Sequence, residues 1–249
     1  MNLLLVDADE LVDGCVRISD RRAAHLRAVL GAAVGQRLRA GVVGGAVGDA
    51  EVVAVDAAAV TVRLAAGGAP SPPMPVALVL AVPRPKVLAR TLEIAAAYGV
   101  ARIELVNAWR VDKAYLASPR LAPAELAAHV RLGAEQGVTT HLAPVRVHRR
   151  LMAFLDEQHP AGAAPGRWLC AHARGGVAIE RAPSPPATGP TVLAIGPEGG
   201  WIEREVETFA ARGFTIVSLG APILRVEAAV AGALAQLALL ARVGGAAGA

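Results

Sequence analysis

Residues 195–200 read Ile-Gly-Pro-Glu-Gly-Gly, and residues 219–229 read Leu-Gly-Ala-Pro-Ile-Leu-Arg-Val-Glu-Ala-Ala. The first stretch predicts a strand that stops in a Gly-Pro turn and enters a helix. The second predicts a strand end, a tight loop and an apolar helix. Together they indicate two loops at one edge of a sheet, rich in backbone N–H and C=O groups and poor in nucleophiles. Such loops suit a ligand bound through its heteroatoms better than covalent chemistry.

The sequence around these two stretches alternates between strands and helices. Strands are predicted at residues 76–82, 102–106, 142–147, 168–171, 191–195 and 215–219. Helices are predicted at residues 86–98, 123–136, 202–212 and 227–242. This alternation predicts an α/β domain with a parallel sheet and helices on both of its faces.

The first 64 residues have a different pattern. One helix, which Ser19 or Asp20 can cap and Gly31 ends, interrupts short β-type runs at residues 3–6, 36–43, 50–55 and 59–64. Several short strands with a single helix predict a small β-barrel. A Pro-rich stretch at residues 65–75 is typical of a linker. We therefore expect two domains, at residues 1–70 and 71–249.

Composition argues against a membrane, secreted or metal-dependent protein. Alanine inflates the hydrophobic content of 54%, and the longest apolar stretch, Ala228 to Ala241, is shorter than the ~20 residues of a membrane span. Three acids and no base among the first ten residues argue against a secretory signal. The histidines and the two cysteines show no metal-ligand spacing, and P-loop, dinucleotide-binding and serine-hydrolase motifs are absent. We expect a cytoplasmic protein without a metal ion.

Positive charge is concentrated in one part of the chain. The formal net charge is +4. Residues 84–150 hold eleven basic and five acidic side chains, whereas each flanking part holds seven basic and eight acidic ones. A local excess of this kind is expected where one face meets a polyanion such as RNA. The helix after residue 200 begins instead with acids, which favours a neutral or cationic ligand in that turn over a polyphosphate.

The two stretches resemble motifs of the SPOUT-class RNA methyltransferases, most closely those of the bacterial 16S ribosomal RNA uridine-N3 methyltransferase family. That family carries an Ile-Gly-Pro-Glu-Gly-Gly loop and then, near the C-terminus, a Leu-Gly-x-Arg-Ile-Leu-Arg-x-Glu-Thr-Ala loop. Its N-terminal PUA-like barrel contains a His-Leu-x-x-Val-Leu helix, which residues 25–30 match. A Glu-Gln pair of the family matches Glu135-Gln136, so the similarity spans nearly the whole chain.

The resemblance implies a fold, a cofactor and partners. The C-terminal part of the sheet would form a deep trefoil knot whose loops bind S-adenosylmethionine. The protein would be a homodimer that acts on 16S ribosomal RNA of the small ribosomal subunit. The implied cofactor-binding residues are Gly196, Pro197, Glu198, Gly199, Gly200, Leu219, Gly220, Ile223, Leu224 and Val226.

The resemblance also implies roles for charged side chains near the cofactor. Methylation of uracil N3 requires that the N3 proton leaves while methyl donor and acceptor are aligned. Arg225 is expected to stabilise the negative charge that develops on the uracil carbonyl oxygens. Glu227 and Glu198 are the candidates for the general base, and for each the alternative is that it anchors a loop.

RNA contacts are expected from basic residues of both domains, which are Arg17, Arg21, Arg22, Arg27, Arg37, Arg39, Arg84, Lys86, Arg110 and Lys113. With only eight aromatic residues in the chain, extensive base stacking is not expected. Recognition should therefore depend on phosphate contacts and on RNA shape.

Several motif positions depart from the family, among them two in the C-terminal loop. Pro222 stands where an arginine is expected, and Ala228 stands where a threonine is expected. These departures leave two alternatives open. One is a SPOUT methyltransferase with another RNA target, such as transfer RNA or a ribose hydroxyl, and the other is a non-catalytic RNA-binding or assembly protein.

Overall fold

The computed structural model of the chain describes residues 2–65, 67–70, 72–162, 166–183 and 189–246. Residues 66 and 71 of the predicted linker lie outside the described residues. Near the N-terminus five strands form a first sheet: β1 (Leu4–Val6), β2 (Cys15–Ile18), β3 (Arg37–Val42), β4 (Val47–Val55) and β5 (Val60–Leu64). Their order is β1-β3-β4-β5-β2, and every pair except β1 with β3 is antiparallel. This sheet fits the predicted N-terminal barrel.

One helix, α1 (Arg21–Ala28), packs against this sheet and buries Ala23 and Leu26 in its core. Of the two residues that the sequence offers as its cap, Asp20 takes that position. Its side chain accepts a hydrogen bond from the backbone N–H of Arg22 at 2.8 Å. Asp20 thereby satisfies one of the free N–H groups at the start of the helix.

Arg22 corrects one prediction, because its side chain is a structural group rather than an RNA contact. It is 6% exposed, and its guanidinium donates to Glu10, to Asp20 and to the Leu5 carbonyl. Hydrogen bonds from Arg22 hold the pKa of the Glu10 carboxyl below its usual range. A buried guanidinium with these partners has no donor left for a phosphate group. No local pattern of arginines indicates this burial.

Seven strands form the second sheet: β6 (Met74–Ala81), β7 (Val100–Val106), β8 (Val145–His148), β9 (Trp168–Ala171), β10 (Val177–Ala178), β11 (Thr191–Ile195) and β12 (Thr215–Ser218). Their order is β10-β12-β9-β11-β6-β7-β8, and all pairs are parallel. The predicted parallel sheet is confirmed. Strand β10, with two residues, is too short to be read from the sequence.

Six helices accompany this sheet: α2 (Pro85–Ala97), α3 (Lys113–Leu116), α4 (Pro123–Gly137), α5 (Leu151–Gln158), α6 (Glu203–Ala211) and α7 (Val226–Ala246). The four predicted helices correspond to α2, α4, α6 and α7, whereas α3 and α5 were not predicted. Every residue of β11 is buried. Since successive side chains of a strand point to opposite faces, both faces of the sheet are covered at its centre.

Helices α2 and α4 are in unusually close contact because α4 carries two glycines one turn apart. A Cβ atom on Gly133 would lie 2.2 Å from the Glu93 carbonyl oxygen, and one on Gly137 would lie 2.1 Å from the Ala97 carbonyl oxygen. No side chain fits at these distances. The two glycines therefore fix the separation of α2 and α4.

Helix α4 also joins the two sheets. Leu3 and Leu5 of the N-terminal segment pack against Ala134. Next to them, the carboxylate of Glu135, buried at 2% exposure, accepts two hydrogen bonds from Arg21 at 2.8 and 3.0 Å. One partner of a charge pair is thus buried, and such pairs contribute to a defined docking geometry more than to stability.

The C-terminal helix corrects another expectation. Helix α7 has 21 residues, and residues Val226–Gly244 are long and apolar enough, by length and composition, to cross a membrane. The expectation that this stretch is too short for a membrane span was therefore wrong. One face of α7 nevertheless buries Val230, Ala233 and Leu234 in the core of the second sheet, as a core helix of a globular domain does.

His159 follows α5 and lies in a cluster of aromatic rings. Its ring centroid is 4.6 Å from that of Trp168 and 5.2 Å from that of Phe214. Burial, together with the charges of Arg102 and Arg212, lowers the pKa of His159 to about 4. The folded protein therefore keeps this ring neutral where the unfolded chain, with a histidine pKa of ~6.5, already takes up a proton.

We expect this difference to destabilise the protein in acid. The contribution of His159 is complete above pH ~6.5, and it is lost as the pH falls from there to about 4. The loss amounts to about 3 kcal/mol of the free energy of unfolding. Urea unfolding at pH 7, 5.5 and 4 measures it. Between pH 7 and 4, the free energy of unfolding of His159→Phe should fall by this amount less than that of the wild type. An equal fall in both proteins would contradict the assignment to His159.

Candidate cofactor and RNA site

A cleft of about 970 Å³ opens at the carboxyl ends of the central strands of the second sheet. Its walls are the segments that follow β9, β11 and β12, joined by Arg84 after β6 and by Arg110 after β7. From β6 the chain first runs outward to β7 and β8, and later strands lie on the other side of β6. Ligands of parallel α/β sheets bind at such a switch point, at the carboxyl ends of the strands.

The turn at residues 196–200 forms one wall. Gly200 has a φ of 71°, and its N–H donates to the Pro197 carbonyl at 2.7 Å. A Cβ atom on Gly196 would lie 3.1 Å from the backbone nitrogen of Trp201. A side chain at position 196 would therefore press on the backbone of the turn, which glycine leaves free to close.

Glu198 connects this turn to the start of α2. Its carboxylate accepts a hydrogen bond from the backbone N–H of Arg84 at 2.9 Å and lies 3.7 Å from the Arg84 guanidinium. The sequence leaves two roles open for Glu198, general base and loop anchor. This contact is the one expected of a loop anchor. The carboxylate ties the glycine turn after β11 to the segment after β6, the neighbouring strand.

The segment after β12 forms the opposite wall. The Leu219 carbonyl accepts a hydrogen bond from the side-chain amide of Gln236 on α7. Among the residues that the structure describes, the backbone N–H groups of Ile223, Leu224 and Arg225 have no hydrogen-bond acceptor. These donors, with the apolar Val226 beneath them, are available to a ligand that carries heteroatoms and an apolar part.

Arg225 and Glu227, the two predicted catalytic residues, both line the cleft. The Arg225 side chain is exposed, and Glu227 is half-buried in the first turn of α7. Within the described part of the chain neither side chain forms an ion pair or a hydrogen bond. Both groups are therefore free to act on a bound molecule.

Sequence reasoning missed the third wall, which follows β9. His172 and Arg174 line the cleft there, and the ring Nδ1 of His172 lies 2.6 Å from the Arg174 carbonyl oxygen. The sequence could have indicated this wall. Strand β9 was predicted, and the segment after a parallel strand lies at the carboxyl edge of the sheet, where the other two walls are. His172 and Arg174 are not part of a standard sequence motif.

The predicted RNA-binding residues separate into two groups. Arg84 and Arg110 line the cleft, where Arg110 donates a hydrogen bond to the Gly199 carbonyl. Lys86 and Lys113 are exposed at the first turns of α2 and α3. The remaining exposed or half-buried members lie on the N-terminal domain, away from these four: Arg17, Arg21, Arg27, Arg37 and Arg39.

The arginines of the N-terminal group differ in how far they are engaged. Arg17 forms an ion pair with Asp56 at 2.9 Å, with both side chains about half exposed. Arg27 donates to the carbonyl groups of Asp56 and Ala57. Such surface contacts are weak and leave these guanidinium groups accessible to RNA.

Comparison with known proteins gives three findings. The family model of the RNA methyltransferase domain matches residues 70–238. The ribosomal RNA small subunit methyltransferase E of Treponema pallidum (strain Nichols) is 29% identical over 240 residues, which cover 94% of this chain and 90% of that protein. The protein of the same name from Synechocystis sp. (strain ATCC 27184 / PCC 6803 / Kazusa) is 54% identical over 46 residues, 18% of this chain and 15% of that protein.

A solved structure shares the fold over nearly the whole chain. It is the crystal structure of a ribosomal RNA small subunit methyltransferase E from Neisseria gonorrhoeae bound to S-adenosyl methionine. The TM-score is 0.74 at 22% sequence identity, and the match covers 96% of this chain and 98% of the other. Both sheets are therefore part of one shared architecture.

Proposed function

The chain belongs to the RNA methyltransferase domain family, and from this premise we propose that it methylates N3 of a specific uridine in 16S ribosomal RNA with S-adenosylmethionine as methyl donor. The observation that carries the proposal is the cleft. A glycine turn lines it, and so does a loop whose N–H groups at residues 223–225 and whose Arg225 side chain have no partner among the described residues. The names of the relatives support a ribosomal RNA of the small subunit as substrate.

The residues of the cleft fit S-adenosylmethionine. That cofactor has a polar amino-acid part, a ribose and an adenine ring, and it supplies an electrophilic methyl group when bound. The turn at residues 196–200 and the loop with Ile223, Leu224 and Val226 offer backbone donors and acceptors around an apolar floor. Leu219 and Gly220 complete the second wall. Backbone recognition of this kind requires the close approach that glycine allows.

Two side chains are assigned to the chemistry of the acceptor. Uracil N3 carries a proton at neutral pH, and its loss places negative charge on the neighbouring carbonyl oxygens. Arg225, charged and without a partner among the described residues, stabilises this charge. Glu227, two residues further on in the first turn of α7, is the remaining candidate for the base, since Glu198 already binds the backbone of Arg84.

The charge of the cleft supports RNA as the substrate. Four arginines line it, at positions 84, 110, 174 and 225, against two glutamates at positions 198 and 227. Together with the exposed lysines 86 and 113 they form a basic surface around the cleft. RNA affinity should therefore decrease steeply with salt, because phosphate contacts release counterions.

The assembly also belongs to this proposal. We assign residues 1–70 to a PUA-like RNA-binding domain and residues 71–249 to a SPOUT domain whose C-terminal part is knotted. The insertion of β11 between β6 and β9, earlier strands of the chain, supports such a threaded arrangement. The exposed Leu239 and Val243 on α7 favour a homodimer. The place of action is the cytoplasm, where ribosomal subunits are assembled.

Methyl transfer to separated RNA substrates tests the proposal and its alternatives. The protein is incubated with methyl-labelled S-adenosylmethionine and with small subunits, large subunits or transfer RNA that lack the modification. Label in the small subunit alone is the expected result. Label in transfer RNA would instead support a SPOUT enzyme with another target. Binding to subunits without any label would support the non-catalytic protein that Pro222 and Ala228 leave open.

A further inference from the structure

Trp109 is the most exposed aromatic residue of the protein. Its side chain is 79% exposed, whereas Tyr98, the next, is 38% exposed, and the other six aromatic residues are buried or half-buried. Exposure of a whole indole ring forgoes the stabilisation that burial of a large apolar side chain contributes. A ring in this position therefore needs an explanation outside the folded chain.

The backbone that carries this ring is anchored, and it lies next to Arg110, which lines the cleft. Trp109 and Arg110 form the tip of a turn between the buried Ala108 and Val111, which a hydrogen bond of 3.1 Å closes. The backbone N–H of Trp109 donates to the carboxylate of Glu205, at 2.8 Å. Glu205 is itself buried, at 5% exposure, and its second oxygen binds the backbone N–H of Ile202 at 3.0 Å.

This turn is continuous with the cofactor wall. Arg110 donates a hydrogen bond to the Gly199 carbonyl, so the residue next to Trp109 contacts the glycine turn directly. Through Glu205 the same segment is tied to the start of α6, immediately after that turn. The backbone of Trp109 consequently has a fixed position relative to the cleft.

The surroundings of Trp109 favour a nucleic acid as its partner. Arg110 lies beside it, and the side-chain amide of Asn107 binds the Arg149 carbonyl, which places exposed Arg149 and Arg150 on the same side of the sheet edge. Aromatic rings interleaved with arginines bind single-stranded nucleic acids, the rings by stacking on bases and the arginines by contacts with phosphates.

We propose that Trp109 stacks on an unpaired base of the target RNA, beside the nucleotide that enters the cleft. This inference rests on the proposed function for the identity of the RNA. It amends the expectation that recognition uses phosphates and shape alone, because one aromatic platform adds a contact with a base. Stacking on such a platform strengthens binding about 5- to 100-fold per base.

Affinity for unmodified small ribosomal subunits, measured by filter binding, tests the stacking. Trp109→Ala should weaken binding about 5- to 100-fold, Trp109→Phe should retain most of the affinity, and Trp109→Leu should resemble the alanine variant. Tyr98→Ala is the matched control, because it removes the other exposed aromatic ring. Tyr98 follows the last residue of α2, whereas Arg84 of the cleft precedes the first. The affinity of Tyr98→Ala should equal that of the wild type.

Several outcomes would overturn the inference. Wild-type affinity in Trp109→Ala would exclude a contact with RNA, and equal binding by the leucine and phenylalanine variants would replace stacking by a simple apolar contact. A changed oligomeric state of Trp109→Ala in sedimentation would assign the ring to a contact between copies. Methyl transfer by the wild type is measured separately, so loss of the proposed function and loss of stacking are distinguished.

Discussion

Arg225→Ala is expected to lower the rate of methyl transfer about 100- to 1000-fold, the usual effect of removing one donor that stabilises a developing negative charge. Arg225 lines the cleft and has no ion-pair partner among the described residues. Its removal therefore leaves no buried carboxylate unpaired, and the fold should be unaffected. Affinity for S-adenosylmethionine should remain close to that of the wild type, because the neighbouring loop offers its backbone rather than this side chain.

Two controls make the Arg225 experiment specific. Arg242→Ala removes an exposed arginine near the far end of α7, the helix that begins directly after Arg225, and should leave the rate unchanged. Arg225→Lys keeps the charge but loses the planar guanidinium, so it should restore only part of the rate. Single-turnover rates at saturating cofactor give the comparison. An unchanged rate for Arg225→Ala would remove this residue from the reaction.

Gly196→Val is expected to reduce the affinity for S-adenosylmethionine about 10- to 100-fold, since overpacking of a tight site costs about 1–3 kcal/mol. A Cβ atom at this position would lie 3.1 Å from the Trp201 nitrogen and 3.3 Å from backbone atoms of Gly200. These are backbone atoms, which can move away only if the turn opens. An open turn no longer presents its N–H and carbonyl groups to the cleft in the same geometry.

Calorimetric titration with S-adenosylmethionine measures the effect of Gly196→Val. Gly68→Val is the matched control, because a Cβ atom there would have no neighbour within 4 Å. Circular dichroism of both variants verifies that the fold is retained. Full affinity in Gly196→Val would show that the turn at residues 196–200 is not part of the cofactor site.

The strand and helix pattern made the α/β domain predictable. The long apolar runs of β6 and β11 and the periodic helices α2, α4, α6 and α7 carry that signal in their own residues, and the prediction of an RNA methyltransferase is confirmed. Helix α5 escaped prediction because eight residues hold too few turns to show a period. Its stability comes from packing of Phe154 and Leu155 into the core, which is visible only in three dimensions.

The candidate site was predictable to the same extent and for the same reason. The glycine turns and the Arg225 loop can be recognised from their residue types. Contacts between segments that are distant in sequence cannot. Glu205 looked like one of three acids at a helix start, yet its carboxylate fixes the backbone of Trp109. Arg22 looked like a surface base, yet its side chain, in the first turn of α1, is buried. Glu205 and Trp109 are more than ninety residues apart in the sequence, so no local pattern predicts their contact.

The identity of the methylated nucleoside tests the account most directly. Small subunits labelled by the protein from methyl-labelled S-adenosylmethionine are digested to nucleosides and separated by chromatography with mass spectrometry. We expect all of the label in 3-methyluridine, and labelling about 100- to 1000-fold slower when the Arg225→Ala protein replaces the wild type. Label in a ribose-methylated nucleoside or in another base would contradict the proposed acceptor atom, and with it the roles of Arg225 and Glu227.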